Sequence, residues 1–149
     1  MHANNVVDVL GRFLNMKVEL YNFVSALNCI LAQRLVRKIC PHCRAVSMPT
    51  AKLLEESAIA PEQMAGVTLY EGRGCIDCNG TGFYGRAAIT ELLDLSDRIR
   101  SLILDKRPAA EIKKAAQAEG MSFLRESAIK KVLAGQTTLR EINKVTFVE

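Results

Sequence analysis

The chain has 149 residues, of which 49% are hydrophobic and 24% charged, a composition that excludes a disordered chain and suffices for one domain or two small subdomains. Its formal net charge of +4 is too mild an excess to imply binding to nucleic acid or to a membrane surface. No run of about 18 or more apolar residues occurs, so no segment reads as crossing a membrane.

The polar start, Met1-His2-Ala3-Asn4-Asn5, does not read as a signal peptide. Asn4 or Asn5 can cap a helix to about Met16, with Val6, Leu10, Phe13 and Leu14 as its apolar stripe. A chain that opens directly on an amphipathic helix reads as a start inside a longer protein. Leu20, Val24, Leu27, Leu31 and Leu35 recur at helical spacing and predict a second helix from about Leu20 to Ile39. Arg34, Arg37 and Lys38 would then lie in its last turns, where cations suit the helix dipole. Pro41 breaks this element.

Further on, Pro49-Thr50 opens a short helix over Ala51 to Ser57, and Pro61 starts another turn. Val67 to Glu71 reads as a short strand. Gly72, Gly74, Gly80, Gly82 and Gly85 mark a loop with left-handed backbone positions. Arg86 to Leu95 is ambiguous between strand and helix. Ser96 can cap a helix through Leu104, Pro108 suits the first turn of one ending at Gly120, and Ser122 can cap one ending at Gly135. Thr138 and Glu141 have capping-box spacing for a last helix. The fold class expected is mainly α with a few short strands (α+β), the helices after Leu95 forming a compact bundle.

Five cysteines without a secretory signal favour a reducing compartment, and the odd number argues against a simple disulfide framework. Cys40 and Cys43 form one C-x-x-C pair and Cys75 and Cys78 another, with 31 residues between the two pairs. Two residues between cysteines let one tight turn present both sulfurs to one ion. A second such turn completes a tetrahedron, the closed geometry of structural zinc. Disulfides and unliganded thiols are the other readings of these residues. The long gap is not that of a standard finger. Cys29 is expected on a helix face as a small buried apolar residue. His42, between two candidate ligands, could substitute for one of them. The lysine pairs Lys113-Lys114 and Lys130-Lys131, with Arg125, are expected on solvated helix faces, or else to meet acidic partner surfaces. Arg73 and Arg86 are expected to pair with Glu71 or Asp77, to donate to carbonyls, or to mark a subunit interface.

Cys-Pro-His-Cys resembles the redox motif of thioredoxin-fold oxidants, which needs a helix starting at its first cysteine, whereas here a helix is expected before it. Cys75 to Gly82 resembles one repeat of the zinc region of DnaJ-type chaperones, which uses several. A wider resemblance runs through His2-Ala3-Asn4-Asn5, Val9-Leu10-Gly11-Arg12-Phe13, Ser25-Ala26-Leu27-Asn28 and Leu31-Ala32-Gln33-Arg34-Leu35-Val36-Arg37. It continues through both cysteine pairs, Gly82-Phe83-Tyr84-Gly85-Arg86, Glu91-Leu92 and Gly135-Gln136-Thr137-Thr138-Leu139-Arg140-Glu141-Ile142. Over essentially its whole length the chain resembles the hexameric traffic ATPases of type II secretion and type IV pilus assembly (general secretion pathway protein E-like).

That resemblance implies three parts: C-terminal helices of a RecA-like ATPase core over 1–39, a tetracysteine zinc subdomain over 40–95, and a C-terminal helical bundle over 96–149. It implies Zn²⁺ on Cys40, Cys43, Cys75 and Cys78. It places His2 at the end of the family's histidine box, near the terminal phosphate of the nucleotide. By default Arg34 would support the core. The implied parent binds ATP and Mg²⁺ and forms a homohexamer. It acts in the cytoplasm at the inner membrane face, through an inner-membrane platform protein, without itself inserting in the membrane. No G-x-x-x-x-G-K-[ST] run occurs in this sequence, so the chain by itself is expected to be catalytically inactive. The alternatives are a freestanding zinc-binding adaptor and a nucleic-acid binder, the latter weakened by an aromatic content of 5%.

Overall fold

The computed structural model describes residues 4–17 and 19–146. Among these, helices predominate over a few antiparallel strands, an α+β fold. In chain order the elements are α1 (Val6–Asn15), α2 (Leu20–Ala26), β1 (Cys29–Ile39), β2 (Arg44–Ser47), α3 (Ala51–Glu56), a 3₁₀ turn (Pro61–Met64), β3 (Leu69–Gly72) and β4 (Phe83–Asp94). They are followed by α4 (Asp97–Leu104), α5 (Ala109–Ala118), α6 (Leu124–Leu133) and α7 (Leu139–Asn143). β1 pairs with β4, and β2 pairs antiparallel with β3. The chain forms two compact units, Met1–Gln33 with Thr90–Leu124, and Arg34–Ile89 with Arg125–Glu149.

The helix expected from Leu20 to Ile39 is replaced by α2 and β1. α2 stops at Ala26, and Leu27 is already extended (φ −88°, ψ 133°). A spacing of four puts two residues on one face of a helix, but also on one face of a strand, because four is a multiple of two. Leu31 and Leu35 therefore do share a face, and it is the exposed one, while Val36 points inward and is buried. Arg34, Arg37 and Lys38 lie on β1 and not in the last turns of a helix. Cys29, expected to be buried on a helix, is exposed at the first position of β1.

In the first unit, Val6 and Leu10 of α1, Ile99 and Ile103 of α4, and Ile112 and Ala116 of α5 build an apolar core. Each of these isoleucines contributes about 1.5–3 kcal/mol through burial. Capping is as expected at two helix starts: the Asn5 side chain accepts from the Asp8 N–H, and the Ser96 hydroxyl accepts from the Ile99 N–H. α2 has no glycine at its end. Its last carbonyls are met instead by Arg100 of α4, whose guanidinium donates to the Val24 and Leu27 carbonyls and, through Nε, to Leu95.

In the second unit, residues 136–141 run beside the end of β1. The Ile39 N–H donates to the Gln136 carbonyl at 2.9 Å, and the Thr137 hydroxyl donates to the Arg37 carbonyl at 2.8 Å. Thr138 caps α7 by accepting from the Glu141 N–H. The reciprocal half of the expected capping box is not made, because the Glu141 carboxylate turns to Arg37. It accepts from the Arg37 guanidinium at 2.7 Å, from the Arg37 N–H at 3.2 Å and from Lys144 at 2.8 Å. Arg125 does not lie on a solvated face. It donates to Asn143, to Thr146 and to the Ser57 carbonyl.

The Arg37 bonds hold the Glu141 carboxyl down at about 2, against an ordinary 4.5. A depressed carboxyl stabilises the fold fully above its unfolded value, and that contribution disappears as pH falls from about 4.5 towards about 2. Arg37 is about half exposed, so solvent screens part of the interaction. Glu141→Gln is expected to cost about 2 kcal/mol at pH 7. Urea unfolding of both chains should show that gap narrowing steadily below pH 4.5.

Candidate metal centre

Three places in the chain deliver the four cysteines. Cys40 directly follows β1, and Cys43 directly precedes β2. Cys75 and Cys78 lie on the loop between β3 and β4. The β2–β3 register sets Arg44 opposite Gly72, and the next bond outward runs from the Arg73 N–H to the Cys43 carbonyl at 3.0 Å. The Cys40 N–H donates to the Gly82 carbonyl at 2.9 Å, which joins the end of β1 to the start of β4. Within the second pair, the Gly80 N–H donates to the Cys75 carbonyl at 2.9 Å and the Thr81 N–H to the Cys78 carbonyl at 3.1 Å, closing a tight turn.

The four sulfur atoms lie within 4.8 Å of one another. Cys40 and Cys75 are 3.8 Å apart, Cys43 and Cys78 3.9 Å, and Cys75 and Cys78 3.7 Å. A tetrahedral metal with metal–sulfur bonds of about 2.3 Å has sulfur–sulfur edges of about 3.8 Å. A disulfide needs about 2.05 Å. The donor set therefore fits a tetrahedral metal ion, and all four cysteines are free thiols. Four protein ligands would leave such an ion no open position. The backbone supports charge on sulfur as well: the Gly74 N–H points at Cys43, and the Cys75 and Gly82 N–H groups point at Cys78, each at 3.2 Å.

The thiols respond unequally. Burial pushes the Cys43 thiol up to about 12, aided by its three neighbouring thiols and opposed by the Gly74 N–H. Burial raises Cys78 too, but the Cys75 and Gly82 N–H groups, together with the Cys75 and Cys43 thiols, outweigh it and hold this thiol down at about 6. Cys75 shifts upward: the Cys78 backbone bond opposes the change, while burial and the adjoining thiols drive it. Cys78 is thus ready to ionise, while Cys43 and Cys75 resist. A bound cation supplies the positive charge that lets all of them deprotonate.

Glycine is required where the two loops touch. A Cβ on Gly72 would overlap the Gly82 carbonyl, and a Cβ on Gly82 would overlap the Gly72 carbonyl. Gly82 also has φ +77°, which side chains rarely adopt.

His42 is not brought into the cluster. It is exposed, with Nδ1 3.9 Å from the Asp77 carboxylate. Arg73 and Arg86 make no ion pair among the described residues, so their expected local pairing is not formed. Lys113 lies over the Phe123 ring, and Lys131 reaches Gln136. His2 lies outside the described residues. Sequence reasoning missed the contact between Gly72 and Gly82, although both belong to the glycine run. It also missed Glu91, a carboxyl buried on β4. The signal for Glu91 was its place in a strand alternation, on the same side as Ile89 and Leu93.

The purified chain is expected to carry one metal ion by elemental mass spectrometry, and a chelator should lower its melting temperature. Cys40→Ser or Cys78→Ser should weaken metal binding by more than about 100-fold, the usual ceiling for losing a group behind a ligand. Gly72→Ala should lose metal while leaving every ligand in place.

The family model described as type II/IV secretion system protein matches residues 1–144. The chain is 41% identical over 142 residues to the type IV pilus assembly ATPase PilB of Thermus thermophilus, which covers 95% of this chain and 16% of that protein. It is 38% identical over 143 residues to PilB of Myxococcus xanthus, covering 95% of this chain and 25% of that protein. To the type II secretion system protein E of Klebsiella pneumoniae it is 34% identical over 146 residues, covering 98% of this chain and 28% of that protein. The chain thus spans less than a third of the length of these relatives. With the match running over residues 1–144 and the tetracysteine cluster inside it, this chain belongs to the type II/IV secretion system protein family.

Proposed function

We propose that the chain is the C-terminal, zinc-binding part of a motor ATPase that powers type II protein secretion or type IV pilus assembly. The observation that carries this reading is the tetrahedral spacing of four sulfurs in a chain that aligns almost entirely with pilus and secretion proteins, two of them named as ATPases. In this reading residues 1–39 belong to the C-terminal edge of a RecA-like core, 40–95 to the zinc subdomain and 96–149 to a helical bundle. Cys40, Cys43, Cys75 and Cys78 hold zinc, which acts as a structural crosslink and contributes folding energy.

Phosphoryl transfer needs a phosphate-cradling loop and groups that hold Mg²⁺. This sequence has no P-loop, so ATP and Mg²⁺ bind the longer protein, with His2 at the nucleotide, and the present chain serves structure and docking. The assembly is a homohexamer on the cytoplasmic face of the inner membrane, contacting neighbouring subunits and a membrane platform protein. Among the described residues no helix is long and apolar enough to cross a membrane, which is consistent with attachment through partners.

The test compares the longer protein with this chain in an ATP hydrolysis assay, and identifies the metal in both. Hydrolysis by the longer protein alone, with zinc in both, is the expected result. Hydrolysis by this chain by itself would sink the reading, as would a longer reading frame without a P-loop.

A further inference from the structure

We propose that the metal site governs the docking of residues 135–141, so that loss of the ion frees the start of α7 while the end of α7 stays held. The proposal rests on the reading above that Cys40, Cys43, Cys75 and Cys78 hold a metal ion.

The first cysteine pair sits between two contacts to the turn that joins α6 to α7. On one side, Ile39 directly precedes Cys40, and its N–H donates to the Gln136 carbonyl at 2.9 Å. On the other, Arg44 directly follows Cys43. Its guanidinium stacks 3.8 Å from the centre of the Tyr70 ring, and a Cβ on Gly135 would overlap it. Arg37, two residues before Ile39 on β1, adds three bonds to the same segment. Its guanidinium and its N–H donate to the Glu141 carboxylate, and its carbonyl accepts the Thr137 hydroxyl. Thr137 is fully buried, so its hydroxyl needs this partner.

The end of α7 has separate supports. Arg125 donates to the Asn143 side chain at 2.8 Å and to the Thr146 hydroxyl at 3.0 Å, and Asn143 donates to the Ser57 hydroxyl at 3.0 Å. None of these bonds involves β1 or a cysteine loop. The helix is therefore held at its start from the metal side and at its end from Arg125 and Ser57.

An ion ligated by all four sulfurs would fix the end of β1 and the start of β2 at one separation. That separation is what lets Gly135 and Gln136 meet Arg44 and Ile39 at once. The path from sulfur to α7 is a contiguous run of bonded and packed groups within one compact unit. Coupling between two sites is reciprocal, so whatever loosens the docked segment must also weaken metal binding.

The test follows amide hydrogen exchange by NMR in the Zn²⁺-loaded chain before and after chelation. The Arg37 and Ile39 amides donate to Glu141 and Gln136, so they report docking directly. Their protection is expected to fall by about tenfold or more, within the usual range of coupling between sites. The Ser57 and Thr146 amides, bonded to Leu53 and Ile142, should keep theirs. In the reverse direction, Arg37→Gln removes the guanidinium from Glu141 without touching a sulfur. Competition with a chromogenic chelator should show its Zn²⁺ affinity lowered by about fivefold or more. Thr50→Ala is the control: it removes the exposed cap of α3 in the same unit and should leave Zn²⁺ affinity unchanged.

Unchanged protection at Arg37 and Ile39 would overturn the proposal, as would an equal loss at all four amides, which marks general unfolding. Native Zn²⁺ affinity in Arg37→Gln, or a matching loss in Thr50→Ala, would overturn it too. A chain that binds no Zn²⁺ at all overturns instead the underlying reading of the cysteines.

Discussion

The second unit depends on holding four sulfur atoms about one tetrahedral edge apart. Thiols so close together resist common ionisation, and N–H donors favour charge on one of them, Cys78. A cation at their centre would remove that conflict and would link the segment after β1, the start of β2 and the β3–β4 loop. The backbone must first permit the approach. Gly72 and Gly82 meet with no room for a Cβ on either, so the metal geometry and the glycine pattern are two sides of one constraint.

Away from the metal centre, two buried carboxylates organise the fold by different means. Glu141 is paired with Arg37 and Lys144 and carries a depressed pKa as a result. Glu91 receives two helix starts and is held by backbone donors. In both cases a strand is joined to a segment distant in sequence by a side chain whose oxygens are all used. Arg100 does the converse, supplying donors to the carbonyls at the end of α2. These polar links set orientation, while the apolar core supplies most of the stabilisation.

For the proposed motor, this arrangement assigns distinct work to parts of the chain. In that reading a metal on the four cysteines would crosslink loops that are too small to build a core of their own. The first unit anchors the start of α1, through the Val6 N–H on Glu91. Family membership is shown by the match over residues 1–144, and similarity to both pilus and secretion proteins leaves both machines within the proposal.

Much of this was legible from residue order. The caps at Asn5, Ser96 and Thr138 depend on a side chain and an N–H three residues apart, which a linear reading detects. The cysteine pairs and their glycines are likewise local turn chemistry, and they named the four sulfurs that now lie within 4.8 Å of one another. The sequence by itself thus determined which groups could cap, turn and ligate. Only the tertiary structure decided between strand and helix at Leu31 and Leu35, because a four-residue spacing satisfies both and the choice lies in pairing with β4, far along the chain. It also decided that Glu141 would leave its own helix for Arg37 and that Glu91 would face inward. Their partners lie 104 and 85 residues away, and no local period records so distant a hydrogen bond.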